Sequence, residues 1–167
     1  MIKRGAIGID PGQTGGVARI APDGSIRIIR GESYHGQTLG HSEALAALEL
    51  VGASRGDLVF LEALGIRPKN GVRSTRTASV SWAAWHGACS VLGLVCAVRS
   101  TVSMDRAAGL PRHPPGRKAR KACVCRWASE RYPDLDLTRA RGSVHDGLAD
   151  ALCFATAAHL AVSTVAG

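Results

Sequence analysis

Residues 2–30 read IKRGAIGIDPGQTGGVARIAPDGSIRIIR, three β-rich runs separated by two turns rich in Gly, Pro and Asp. The first run, Ile2 to Ile9, ends at Asp10-Pro11-Gly12. The second begins at Gly15-Gly16, continues to Ile20 and closes at Pro22-Asp23-Gly24, and the third covers Ser25 to Arg30. Pro and Gly supply the backbone angles that tight turns require. Turns this short join antiparallel neighbours only, because parallel ones need a crossover of roughly a dozen residues. The chain therefore starts as an antiparallel meander.

Beyond Arg30 helical and extended signals alternate. Ser42 to Val51 reads as a helix with Ala44, Leu45 and Leu48 on one face, and Asp57 to Glu62 is a short apolar run ending in a carboxylate, the pattern of a central buried strand. Gly65 to Arg76 reads as a basic loop, Thr77 to Leu92 as a helix and Leu94 to Val98 as a fifth strand. Arg117 to Tyr132 is a helix preceded by the loop Arg112-His113-Pro114-Pro115-Gly116, and a last helix starts near Ser143. An antiparallel set followed by helical crossovers predicts an α/β fold: a five-stranded mixed sheet, three strands antiparallel and then two parallel, flanked by helices. With 167 residues and no internal repeat, residues 1–167 are expected to form one domain.

Composition narrows the class. At 46% hydrophobic and 20% charged residues the chain is neither disordered nor fibrous. Lys and Arg number 21 against 13 Asp and Glu, and the net charge of +8 favours a polyanionic partner. Cys89, Cys96, Cys123, Cys125 and Cys153 are odd in number and lack the paired C-x-x-C spacing of a structural zinc site, so they read as thiols in a reducing compartment. The apolar run Ala6 to Ile9 is too short for a secretory segment, which predicts a cytoplasmic protein. Ala78 to Val98 carries no charge over roughly the length that spans a bilayer. Ser79, Ser81, His86, Gly87, Ser90 and Gly93 interrupt it, and it reads as a buried helix and strand. Ala151 to Gly167 reads as a packed C-terminal helix, so no membrane partner is expected.

Four carboxylates stand where backbone would hold them: Asp10 after strand one, Glu62 after strand four, and Asp146 and Asp150 in the first turns of the last helix. If strands one and four are neighbours, Asp10 and Glu62 converge. Asp146 and Asp150 are four residues apart, on one helical face with Cβ atoms roughly 5–6 Å apart. Clustered carboxylates repel and raise each other's pKa unless a cation lies between them, and hard oxygen ligands suit Mg²⁺ or Mn²⁺. Each has a plainer reading too. Asp10-Pro11-Gly12 is an ordinary turn, Glu62 a polar strand end, and Ser143-Val144-His145-Asp146 the outline of a capping box. Asp150 has the weakest plain reading, because Ala151-Leu152-Cys153-Phe154-Ala155 beside it marks a buried helix, where an unpaired charge is costly.

Gly8-Ile9-Asp10-Pro11-Gly12 with Thr14-Gly15, then Leu61-Glu62, then His145-Asp146-Gly147-Leu148-Ala149-Asp150-Ala151-Leu152 resembles the RuvC-type Holliday junction resolvases, including their phage and mitochondrial relatives. The match runs in order over nearly the whole chain. The resemblance implies a ribonuclease H-like fold in which Asp10, Glu62, Asp146 and Asp150 are the catalytic and metal-binding acids. Two Mg²⁺ or Mn²⁺ ions would bridge the scissile phosphate of a four-way DNA junction, giving paired nicks with 5′-phosphate and 3′-hydroxyl ends. It also implies a homodimer, placing two sites on two strands of one junction, in the cytoplasm of a bacterial or phage-infected cell. Two departures stand out. The last two acids are four residues apart, as in the phage and mitochondrial type, which leaves His145 either an auxiliary group or a neighbour. Ala63-Leu64-Gly65-Ile66 offers no aromatic wedge after the Glu.

Two basic clusters, Arg67, Lys69, Arg73 and Arg76, then Arg112, Arg117, Lys118, Arg120 and Lys121, contain no acid and follow strands four and five. That places them at the edge presenting Asp10 and Glu62, as candidate phosphate contacts that read DNA shape rather than sequence. Lys118 resembles a family position near the scissile phosphate. His35, His41, His86 and His113 have no partner at ligand spacing, and Trp82 and Trp85 with Ala78, Cys89 and Leu92 form an apolar stripe for the core or a dimer surface. Alternatives remain open: a ribonuclease H-like nuclease acting on RNA or general branched DNA, or a junction-binding protein without cleavage. The strand ending in Gly8-Ile9-Asp10-Pro11-Gly12 also resembles the first phosphate loop of actin-like and sugar-kinase-like proteins, a fold of two such domains for which 167 residues are too few.

Overall fold

The computed structural model describes residues 4–12, 14–30, 40–65, 71–139 and 142–165. His35, Arg67 and Lys69 lie outside these residues, as does the start expected for the first strand. The elements are β1 (Ala6–Asp10), β2 (Gly16–Ile20), β3 (Ile26–Arg30), α1 (His41–Leu50), β4 (Leu58–Glu62), α2 (Val72–Val91), β5 (Val95–Arg99), α3 (Thr101–Ala107), α4 (Arg117–Arg131) and α5 (Asp146–Val165). The five strands form one sheet in the order β3-β2-β1-β4-β5. β1, β2 and β3 pair antiparallel, as their short turns predict, and β4 joins β1 and β5 joins β4 in parallel, as the helical crossovers predict; the pairing of β4 with β1 meets the condition on which the convergence of Asp10 and Glu62 depends.

Side-chain alternation along the strands builds a core on each face. Ile7, Ile9, Val17, Val59 and Leu61 face α1 and α2, where Ala44, Leu48, Trp85 and Cys89 complete one apolar layer. Ala6, Ala18, Ile20 and Phe60 face the other way, onto α3, α4 and α5. Residues Asp146–Thr164 are long and apolar enough to cross a bilayer by length and composition, but this helix is mostly buried inside the fold. Its packing on β1 is unusually close, since a Cβ on Gly8 would collide with the backbone of Ala151 and Ala155, and one on Gly147 with the carbonyl of Thr14 and with Gly15. Glycine is required at both places because backbone meets backbone there.

Three expectations need correction. α2 begins at Val72, so Arg73 and Arg76 belong to its first turns and not to a loop. Its opening residues carry no apolar period, and Val72 is 87% exposed. α3 has no counterpart among the elements expected from sequence. It is a short helix started by Ser100, whose hydroxyl accepts the Ser103 N–H at 3.3 Å, and its buried residues are Met104 and Asp105. α5 starts at Asp146 rather than near Ser143, and His145, not Ser143, caps it: the buried imidazole Nδ1 accepts the Leu148 N–H at 3.2 Å.

Candidate active site

Asp10 and Glu62 close two neighbouring parallel strands, and the pairing of Ile9 with Leu61 sets them side by side. Both follow the alternation of Ala6, Gly8 and Phe60, so their carboxyls turn toward α5. There the close approach at Gly8 delivers Asp150. The two strand-end carboxyls act on each other directly, the contact favouring charge on Asp10 and a proton on Glu62. Burial, then the charges of Asp10 and Asp150, push Glu62 up to about 8. Burial also raises Asp10, against the lowering effect of the Gly12 N–H, which donates to its Oδ1 at 3.0 Å. Asp150 is pushed up to about 6 by burial, with Arg120 opposing. Near neutral pH burial and the neighbouring carboxylates keep a proton on Glu62.

Helix α2 fastens the strand ends from the opposite face. The Ser81 hydroxyl donates to the Pro11 carbonyl at 2.6 Å, and Trp82 Nε1 donates to the Glu62 carbonyl at 3.0 Å. Trp82 also stacks on His86, with ring centroids 5.3 Å apart. Trp85, by contrast, is core. Neither anchoring role shows in the sequence, because each serves a backbone carbonyl brought near only by the sheet.

The α4 side supplies positive charge. Arg120 grips Asp105 of α3 with two bonds of 2.7 Å, from Nε and Nη2, while its Nη1 lies 2.7 Å from Asp150 Oδ1. Lys121 and Arg139 both pair with Asp146. From there the charge of Lys121 also lowers the pKa of Asp10 and Asp150. Arg120 and Lys121 thus turn inward, whereas Arg76, Arg112, Arg117 and Lys118 are exposed. Arg99, not singled out from the sequence, ends β5 in register with Glu62, its guanidinium 5.3 Å above the Phe60 ring. His86 and His113 remain apart from the carboxyls: one stacks on Trp82, and the other has Nδ1 2.9 Å from the Pro114 carbonyl.

Among the described residues, no three acidic, imidazole or thiol side chains are close enough together to hold a metal as they stand. The donor chemistry nonetheless fits a hard divalent cation. Asp10, Glu62 and Asp150 are oxygen donors raised in pKa by burial, with repulsion from neighbouring carboxylates adding to the shifts of Glu62 and Asp150, and Arg120 and Lys121 already bring cationic charge to bear on them.

A mixed five-stranded sheet of this order, with helices on both faces and acids at the ends of its two central strands, is a ribonuclease H-like fold. Within that class the fold is of the RuvC type. The chain is similar to the solved structure of RuvC from Thermus thermophilus in complex with Holliday junction substrate, at 16% identity and a TM-score of 0.62, over 96% of each chain. A second structure of Thermus thermophilus RuvC matches at 17% identity and a TM-score of 0.58, again over 96% of each chain. No family model matches the sequence, and no curated protein matches it.

Proposed function

We propose that the chain is a metal-dependent endonuclease that cuts four-way or branched DNA junctions. The observation that carries this reading is the convergence of Asp10, Glu62 and Asp150 on a fold shared with a protein solved on a Holliday junction substrate. Mg²⁺ or Mn²⁺, two ions in the fullest form of the reading, would be held by Asp10, Glu62 and Asp150, with Asp146 joining once Lys121 and Arg139 release it. Bound there, the ions would activate a water and stabilise charge on the phosphate. The chain's own part is to hold those oxygens rigidly: Ser81 and Trp82 fix the strand ends, and α5 presents Asp150 against β1.

The exposed cations Arg76, Arg112, Arg117 and Lys118, with Arg67, Lys69 and Arg73, are assigned to DNA phosphates in this reading. Arg120 and Lys121 serve the carboxyls first. Cleavage of two strands of one junction calls for a homodimer. The five cysteines are free thiols, which suits a reducing compartment such as the cytoplasm of a bacterial or phage-infected cell.

The test is incubation with a labelled synthetic four-way junction and the matched linear duplex, with Mg²⁺, with Mn²⁺ and with EDTA. The expected result is metal-dependent, symmetric nicking of the junction alone. Equal cutting of duplex or RNA would assign a general ribonuclease H-like nuclease, and tight binding without nicking in either metal would assign a junction-binding protein.

A further inference from the structure

Arg120 sits between two carboxylates of unequal standing. Toward Asp105 it makes the two-bond fork that a guanidinium forms with a carboxylate, both contacts 2.7 Å; toward Asp150 it offers only Nη1, also at 2.7 Å. Asp105 and Asp150 are 9% and 6% exposed, and the Arg120 side chain is 15% exposed, so solvent screens this trio poorly. Asp105 lies on α3, and its carboxylate also accepts from the Cys153 thiol at 3.8 Å. Nothing in the proposed reaction uses it.

We propose that Asp105 sets the affinity of the acidic site for a divalent cation by keeping Arg120 from monopolising Asp150. The proposal rests on the metal reading of the site and extends it to a residue outside the four acids. With Asp105 in place, Arg120 already has a two-bond carboxylate partner, and Asp150 keeps most of its negative charge for a second cation. Without it, Asp150 becomes the sole partner of a buried guanidinium. A metal must then displace that guanidinium and leave it unpaired in a poorly solvated place, which is costly. Asp105 is therefore a positioning residue that acts through Arg120.

The experiment titrates Mn²⁺ into the full chain without DNA, following free Mn²⁺ by electron paramagnetic resonance, with thermal melts to verify folding. Asp105→Asn is expected to weaken Mn²⁺ binding about tenfold or more, the range of outer-sphere substitutions at metal sites. The double variant Asp105→Asn, Arg120→Met removes the competing cation along with its partner. It is expected to fold and to bind Mn²⁺ at least as tightly as the unaltered chain, a rescue that a purely structural role for Asp105 does not produce. Unchanged affinity in a folded Asp105→Asn protein overturns the proposal while leaving the metal reading intact, and so does weak binding by the folded double variant. Should Asp105→Asn alone not fold, the double variant decides. Absence of Mn²⁺ binding by the unaltered chain overturns the metal reading, and this proposal with it.

Discussion

Glu62 is held at the end of β4 among groups that disfavour its charge, and this gives the metal-free protein a defined pH response. Its pKa rises from the ordinary 4.5 to about 8, so the folded state binds a proton more tightly than the unfolded chain does. The associated stability is fully present below pH 4.5 and is lost as pH rises through about 8. In EDTA the melting temperature is expected to fall across that window. Glu62→Gln, which stays neutral throughout, is expected to flatten the fall by several degrees, given about 2–4 °C per kcal/mol for a chain of this size. Parallel melting curves for the two proteins between pH 5 and 9 would show that Glu62 carries no such proton. Asp10→Asn keeps the oxygen that accepts the Gly12 N–H while removing charge, so it is expected to cut junction nicking at least a hundredfold without lowering the melting temperature. A variant that nicks normally would remove Asp10 from the chemistry. Asp10, Glu62 and Asp150 were legible as candidates because strand ends and a buried helix are visible in one-dimensional pattern. Asp105 was not, because its meaning depends on Arg120, fifteen residues away on another helix.

Among the elements, α5 and β1 set the geometry, and their contact is sensitive to a single methyl group. Gly8→Ala would thrust a Cβ into the Ala151 and Ala155 backbone, where no side chain can rotate away. A destabilisation of about 3 kcal/mol, at the upper end for overpacking, is expected, read as a lowered urea midpoint with m unchanged. A variant as stable as the parent would mean that α5 can shift outward freely. Trp82→Phe tests the opposite face: it leaves a smaller aromatic ring and loses the bond to the Glu62 carbonyl, a bond worth about 1 kcal/mol. The same contrast explains what the sequence disclosed of the elements. β1 to β5 were legible because turns and alternation are local signals, and connection length separated the antiparallel strands from the parallel ones; the order β3-β2-β1-β4-β5, with β4 beside β1, came only from the structure. The first turns of α2 and the whole of α3 were hidden. The former are polar and exposed, and α3 buries only Met104 and Asp105, too few positions to set a period.

Across the whole molecule, the net charge of +8 is divided between two kinds of cation that sequence alone leaves indistinguishable. Arg120 and Lys121 face carboxylates, whereas Arg112, Arg117 and Lys118, the loop and first turn leading into the same helix, face solvent. A cation already paired inside the fold releases few DNA counterions, and an exposed one releases close to its full share, roughly 0.9 per duplex phosphate in the logarithmic salt slope. Replacing Arg112, Arg117 and Lys118 together by Ala is therefore expected to lower the slope of junction binding by about two to three, measured by fluorescence anisotropy between 50 and 200 mM KCl without divalent metal. The Asp105→Asn, Arg120→Met pair, with no net charge change and no exposed cation lost, is expected to leave that slope where it was. If the triple variant keeps the parental slope, DNA does not lie along the start of α4. If instead the inward pair alters it, Arg120 leaves its carboxylates to meet phosphate, and the division between site cations and surface cations fails.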